Sequence, residues 1–131
     1  MSVFKGGRPE PSKTSVVDAF NCAKAEWGAT GDIPIDLFRG VIELASASGL
    51  RLKNSCQCFS IAAWASGDIE AAKWYLVQAE ELARADDSGP FSGWRYWMVS
   101  ATEFMEDLVE IRSMIDGAPV RPRIFTVPPT N

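Results

Sequence analysis

The chain reads as an all-α, single-domain antiparallel bundle of about five helices with extended N- and C-terminal arms. Three observations lead there. Apolar residues recur at intervals of three and four in successive stretches, which is the period of a helix. Short clusters of Gly, Ser and Asp separate those stretches, and short connections make neighbouring helices antiparallel. No stretch alternates apolar and polar residues as a half-buried strand does. The expected division is an N-terminal arm at residues 1–13, a helical bundle at 14–117 and a Pro-rich C-terminal arm at 118–131. At 131 residues, 47% of them apolar, the chain is long enough to bury a core and too apolar for wholesale disorder.

The N-terminal arm carries Gly6, Gly7, Pro9 and Pro11, which deny it a helix or a central strand, with Val3 and Phe4 as its apolar anchors. Thr14 or Ser15 is suited to cap the first helix, with Asp18 completing a weak capping box. Val16, Phe20, Ala23 and Trp27 form its inner stripe and Gly28 its stop. Pro34 suits the first position of the second helix, whose inner face is Phe38, Val41, Ile42 and Ala45. Gly40, mid-helix at about 1 kcal/mol relative to Ala, marks an expected close helix crossing. Asn54 or Ser55 is the expected cap of the third helix, which lines up Leu52, Cys56, Phe59 and Ala63 with Ile61 and Trp64 beside them. Gly67 stops it and Asp68 caps the next. The fourth helix runs from Ile69 to about Ala85, with Ile69, Ala72, Leu76, Ala79 and Leu82 or Ala83 inward. Asp86-Asp87-Ser88-Gly89-Pro90 then breaks the chain.

The fifth helix is expected to be the longest, from Ser92 to Asp116, and roughly 37 Å from end to end. Trp97, Ala101, Phe104, Leu108, Ile111 and Ile115 fall on one stripe, and Trp94, Met98, Met105 and Val109 widen it into a face. After Gly117, four prolines in fourteen residues impose an extended arm.

Between the third and fourth helices, Gly67, Asp68, Ile69, Ala72, Leu76 and Ala79 resemble the second half of a tetratricopeptide repeat. Cys56 stands where such repeats carry Trp, Arg84 where they carry Pro, and no second copy appears. The resemblance implies a close helical hairpin and a protein-binding role.

The chemistry available is narrow. There is no His, so the commonest general base and metal ligand is missing, and Ser-His-Asp or Cys-His catalysis is excluded within one chain. Cys22, Cys56 and Cys58 are too few for a zinc site, and Cys56 and Cys58 point to opposite sides of a helix. All three read as small buried apolar residues. No Gly-rich phosphate loop is present. The expectation is therefore no enzyme, no cofactor and no metal.

A net charge of -4 argues against nucleic acid and anionic membranes as partners. A regulator that contacts nucleic acid would need Lys5, Arg8, Lys13, Arg121 and Arg123 on one face. Gly-Arg-Pro at 7–9 is similar to the centre of an AT-hook, but Glu10 stands where a basic flank belongs. No secretory leader or membrane span is legible, and an odd cysteine count points to a reducing, cytoplasmic setting.

What remains is a non-catalytic interaction protein: an assembly subunit, adaptor or small inhibitor that binds a protein partner or forms a homo-oligomer. Small acidic helical proteins of this kind include phage-encoded inhibitors and virion parts, which is an analogy of class. The candidate contacts are Trp74, Trp94 and Tyr96, from an excess of aromatics around one connection. The acidic edge Glu103, Asp107 and Glu110 joins them, as do Arg121, Arg123, Ile124 and Phe125 of the C-terminal arm. A small-molecule site between helices, or a His-free enzyme, is the alternative; it requires a closed polar pocket of a few hundred Å³.

Overall fold

The structure, a computed structural model, describes residues 13–86, 88–96 and 98–120. Five helices follow one another: α1 (Lys13–Thr30), α2 (Ile35–Ser48), α3 (Lys53–Ala65), α4 (Ile69–Ala85) and α5 (Ala101–Ile115). Among the described residues, extended pairing is limited to one antiparallel bridge, Phe91 with Val99. Each of α1 to α4 packs on the next, α5 packs on α4, and α3 also touches α1 and α5. The all-α bundle expected from the periodicity is present.

α3 is the central helix, because Ser55, Cys56, Gln57, Phe59, Ser60, Ile61, Ala62, Ala63 and Ala65 are all buried. Those positions go round the whole circumference, so its buried polar side chains must find partners inside the protein. Ser60 does so by donating its hydroxyl to the Ala72 carbonyl at 2.7 Å. The α3–α4 hairpin turns at Gly67, whose φ of 89° is left-handed, and Asp68 caps α4 by accepting the Ala71 N–H at 3.1 Å. Buried Ala62, Ala63, Ala72 and Ala79 let the two helices approach closely.

The inner stripe of α1 is as expected, with Val16, Phe20, Ala23 and Trp27 all buried. Its ends differ. The helix passes through Gly28 to Thr30, and the left-handed residue that reverses the chain is Gly31, at φ 82°. Thr14 and Ser15 lie within the helix rather than ahead of it. Likewise α3 begins at Lys53, after Leu52, so Asn54 and Ser55 are helical and their side chains serve elsewhere. Leu52 and Ile69, first in their expected stripes, are exposed because they sit at helix starts beyond the reach of the core. Gly40 makes no close crossing: a Cβ added there would meet nothing within 4 Å. Cys22, expected to be buried, is exposed.

The largest correction concerns the fifth helix. It starts at Ala101 and spans 15 residues, about 22 Å at 1.5 Å each. A capping box sets this start: Ser100 Oγ accepts the Glu103 N–H at 3.0 Å, and Glu103 Oε1 accepts the Ser100 N–H at 2.8 Å. Phe104, Leu108, Ile111 and Met114 form the buried face. Met105 and Val109 point outward, since they stand about 100° and 140° round the helix from Phe104. Trp94 belongs to the connection ahead of the helix, not to its face. Among the described residues, no helix is long and apolar enough to cross a membrane.

Candidate partner-binding groove

The connection between α4 and α5 is held in one shape by α3. Lys53, Asn54 and Gln57 lie at i, i+1 and i+4 on the first turns of that helix. Lys53 Nζ donates to the carbonyls of Asp86 and Ser88, and its ammonium sits 4.1 Å from the centre of the Phe91 ring. Asn54 donates to the Pro90 carbonyl and accepts the Ser92 N–H, each at 3.1 Å. Gln57, fully buried, accepts the Trp94 N–H at 2.8 Å and donates to the Phe104 carbonyl at 3.3 Å, which ties the connection to both α3 and α5. Gly93 fits where no side chain would. An added Cβ would lie 2.5 Å from Asp107 Oδ2 and 3.3 Å from Gln57 Oε1. The chain then doubles back, with Gly93 N–H on the Tyr96 carbonyl and Val99 N–H on the Phe91 carbonyl.

Trp94 fills the interior end of this connection. Its ring stacks on Trp27 at 6.0 Å and 23°, and the Arg95 guanidinium lies 4.2 Å from its centre on the way out. Arg95 is itself buried and pairs with Glu110 through a 2.8 Å contact. Its Nε and Nη2 have no hydrogen-bond partner among the described residues.

Between the connection and α5 runs an open groove of about 630 Å³. Arg95, Tyr96 and Val99 form one wall; Glu103, Glu106, Asp107, Val109 and Glu110 form the other. Tyr96 is 40% exposed, Val109 68%, and neighbouring Met98 64%. The groove thus joins apolar contact area to a carboxylate row. Its charges differ in kind. Glu103 is fully solvated, and the Ser100 N–H and hydroxyl bonded to it hold its carboxyl below the usual range. Glu110 is engaged by Arg95, while Glu106 is exposed at the rim.

Tyr96, Glu103, Asp107 and Glu110, which the sequence offered as separate aromatic and acidic candidates, line one groove. Trp94 does not join them at the surface: it is buried in the aromatic core, because Gln57 fixes its N–H and Trp27 its ring. Trp74 is 45% exposed, carries Arg51 over its ring at 5.0 Å, and does not line the groove. Arg121, Arg123, Ile124 and Phe125 lie outside the described residues. Arg95, Glu106 and Gly93 were missed. Glu106 was legible from its i, i+3 relation to Glu103; Arg95 and Gly93 depend on a loop path that no periodicity encodes.

Among the described residues, no cluster of three or more Cys, Asp or Glu could hold a metal ion. Comparison of the chain with protein-family models, with curated proteins and with solved structures gives no match.

Proposed function

We propose that the protein is a non-catalytic protein-binding module, an assembly subunit, adaptor or inhibitor, and that the α5 groove receives a partner segment that is both basic and apolar. The observation that carries this reading is the pairing of exposed Tyr96 and Val109 with Glu103 and Glu106 in one concave surface, with exposed Met98 adjoining in the chain. Exposed aromatic and Met side chains supply contact area, and the carboxylates select the charge of what approaches. The C-terminal arm of this chain has that composition, with Arg121 and Arg123 set among Val120, Ile124 and Phe125. A second copy is thus one partner of the right chemistry.

The test is affinity capture from the native source with mass spectrometry, alongside sedimentation of the purified chain. Glu106→Lys and Tyr96→Ala should each lose the same partner, or the same dimer. Glu81→Lys, on an exposed position of α4 away from the groove, should retain it. An identical partner set and oligomeric state in all variants rejects the groove as the binding surface.

A further inference from the structure

The last turn of α5 leads to an exposed apolar rim at one end of the bundle. Trp64 Nε1 donates to the Met114 carbonyl at 3.1 Å, so the end of α5 lies on the end of α3. The Trp64 ring is 6.2 Å from that of Trp27, near the end of α1, and Trp27 is 5.9 Å from Phe38, in the first turn of α2. Next to Trp27 and Phe38 in the chain, Glu26, Ile33, Pro34, Ile35, Asp36 and Leu37 line an open concavity of about 580 Å³. Ile35 is 48% exposed and Leu37 46%. They share this concavity with Ile33 and Pro34, so they form a patch rather than scattered surface residues.

We infer that residues 121–131 of this same chain dock on the rim, with Ile124 and Phe125 against Ile35 and Leu37, and with Arg121 and Arg123 toward Glu26 and Asp36. The inference concerns a different surface from the groove and does not depend on it. An arm seated here is not free for the groove of a second copy, so the two uses of the arm are alternatives.

The path of the chain, its reach and its composition select this occupant. Gly117 takes φ 105°, the Ala118 N–H donates to the Ser113 carbonyl at 2.9 Å, and Val120 is half-buried against the core. The chain therefore turns at the end of α5 and stays on the bundle as far as Val120. Eleven residues follow, with a span of up to about 36 Å, and only the Trp64 and Trp27 rings separate the end of α5 from the rim. Their apolar members, Ile124, Phe125 and Val127, suit an aliphatic patch. Arg121 and Arg123 are opposite in charge to Glu26 and Asp36, which are both exposed. Asp36 also meets Arg39 at 3.1 Å, but their side chains are 94% and 59% exposed, and so exposed a pair holds the carboxylate weakly. Covalent attachment keeps the arm at an effective concentration on the order of millimolar, so a modest contact is enough to seat it. Pro122, Pro128 and Pro129 reduce the conformational freedom lost on docking.

The test is an NMR measurement on the unmutated, isotope-labelled full chain. The Phe125 ring protons should give nuclear Overhauser effects to the methyl groups of Ile35 and Leu37. These contacts should be missing from isotope-filtered spectra of a mixed labelled and unlabelled sample. They should also survive about ten-fold dilution, because a tethered contact does not depend on concentration. In the full chain, Arg121→Glu combined with Arg123→Glu should weaken them about two-fold or more, with the helical circular dichroism unchanged. Contacts of Phe125 with Tyr96 or Val109 would place the arm on the groove, and contacts seen only in the filtered spectra would place it on a second copy. Either result, or the absence of any contact with Ile35 and Leu37, overturns the inference. The deciding spectra use the unmutated protein and hold whether or not the variant folds.

Discussion

Replacing Gln57 by Met isolates the bond on which the groove depends. Met matches Gln in length and nearly in volume, so packing around the central helix is preserved. What disappears is the acceptor for the Trp94 N–H at 2.8 Å and the donor to the Phe104 carbonyl at 3.3 Å. The carbonyl loses little, since a helical carbonyl already accepts the N–H four residues on. The Trp94 N–H has no such reserve. Trp94 and Gln57 are both fully buried, so no bulk water replaces the lost acceptor. An orphaned buried donor costs about 1–3 kcal/mol. That lowers the urea midpoint by roughly 1 M for a domain of this size. The assay is urea unfolding followed by Trp fluorescence, with hydrogen exchange at the Trp94 amide as the local readout. The groove wall should loosen with the anchor, so partner capture should weaken in step. A midpoint within about 0.2 M of the parent, with Trp94 exchange unchanged, would refute the role assigned to Gln57.

Gly93→Ala and Gly40→Ala should move the melting temperature in opposite directions. The first places a Cβ 2.5 Å from Asp107 Oδ2 and lowers stability by about 1–3 kcal/mol; the second meets nothing within 4 Å and raises it by about 0.5–1 kcal/mol. Shifts of the same sign would contradict the packing described. Glu110→Gln leaves Arg95 buried beside a neutral partner and should cost about 3 kcal/mol in urea unfolding, whereas Glu106→Gln at the rim should stay within about 0.5 kcal/mol. Glu103 makes the start of α5 sensitive to acid. Its folded pKa is depressed by the bonds from Ser100, so the stabilisation is complete above the ordinary glutamate value of about 4.3 and is lost as pH falls through the lower folded value. Protection factors of the first α5 amides should drop across that window, and Glu103→Gln, which keeps an acceptor but does not ionise, should flatten the response.

The helices were legible because burial in a helix leaves a periodic trace. Val16, Phe20, Ala23 and Trp27 on α1, and Phe38, Val41 and Ala45 on α2, keep a three-and-four spacing and are buried together. α3 carries a weaker trace, since a helix buried all round needs no polar face; Gln57 and Ser60 are inside it because each has a partner. The same periodic trace overruns the start of α5, which begins at Ala101 and not at Ser92. Trp94 continues the apolar spacing of the helix after it, so periodicity alone extends the helix backwards. Ser100-Ala101-Thr102-Glu103 was the counter-signal: Ser and Glu three apart satisfy each other's backbone only at a helix start. When apolar spacing and a capping box conflict, the box is the more specific, because it names a position where the spacing names only a face.

The groove's charges show why spacing located the candidate surface without assigning its parts. Glu103, Asp107 and Glu110 lie four and three apart and look equivalent on a helical projection. The fold separates them through groups contributed by the connection. Ser100 converts Glu103 into a cap that keeps its negative charge in water. Gly93 brings the chain so close to Asp107 that this carboxylate becomes part of the wall. Arg95, held on the Trp94 ring, offsets the charge of Glu110 at the base. A basic partner segment would therefore meet Glu103 and Glu106 rather than the trio that the spacing singled out. If the groove selects by charge, reversal at Glu106 should abolish partner capture while leaving the fold intact. Loss of binding on changing Glu110 would instead report the collapse of Arg95 and would appear first as lost stability. Measuring both variants by capture and by unfolding separates recognition from support.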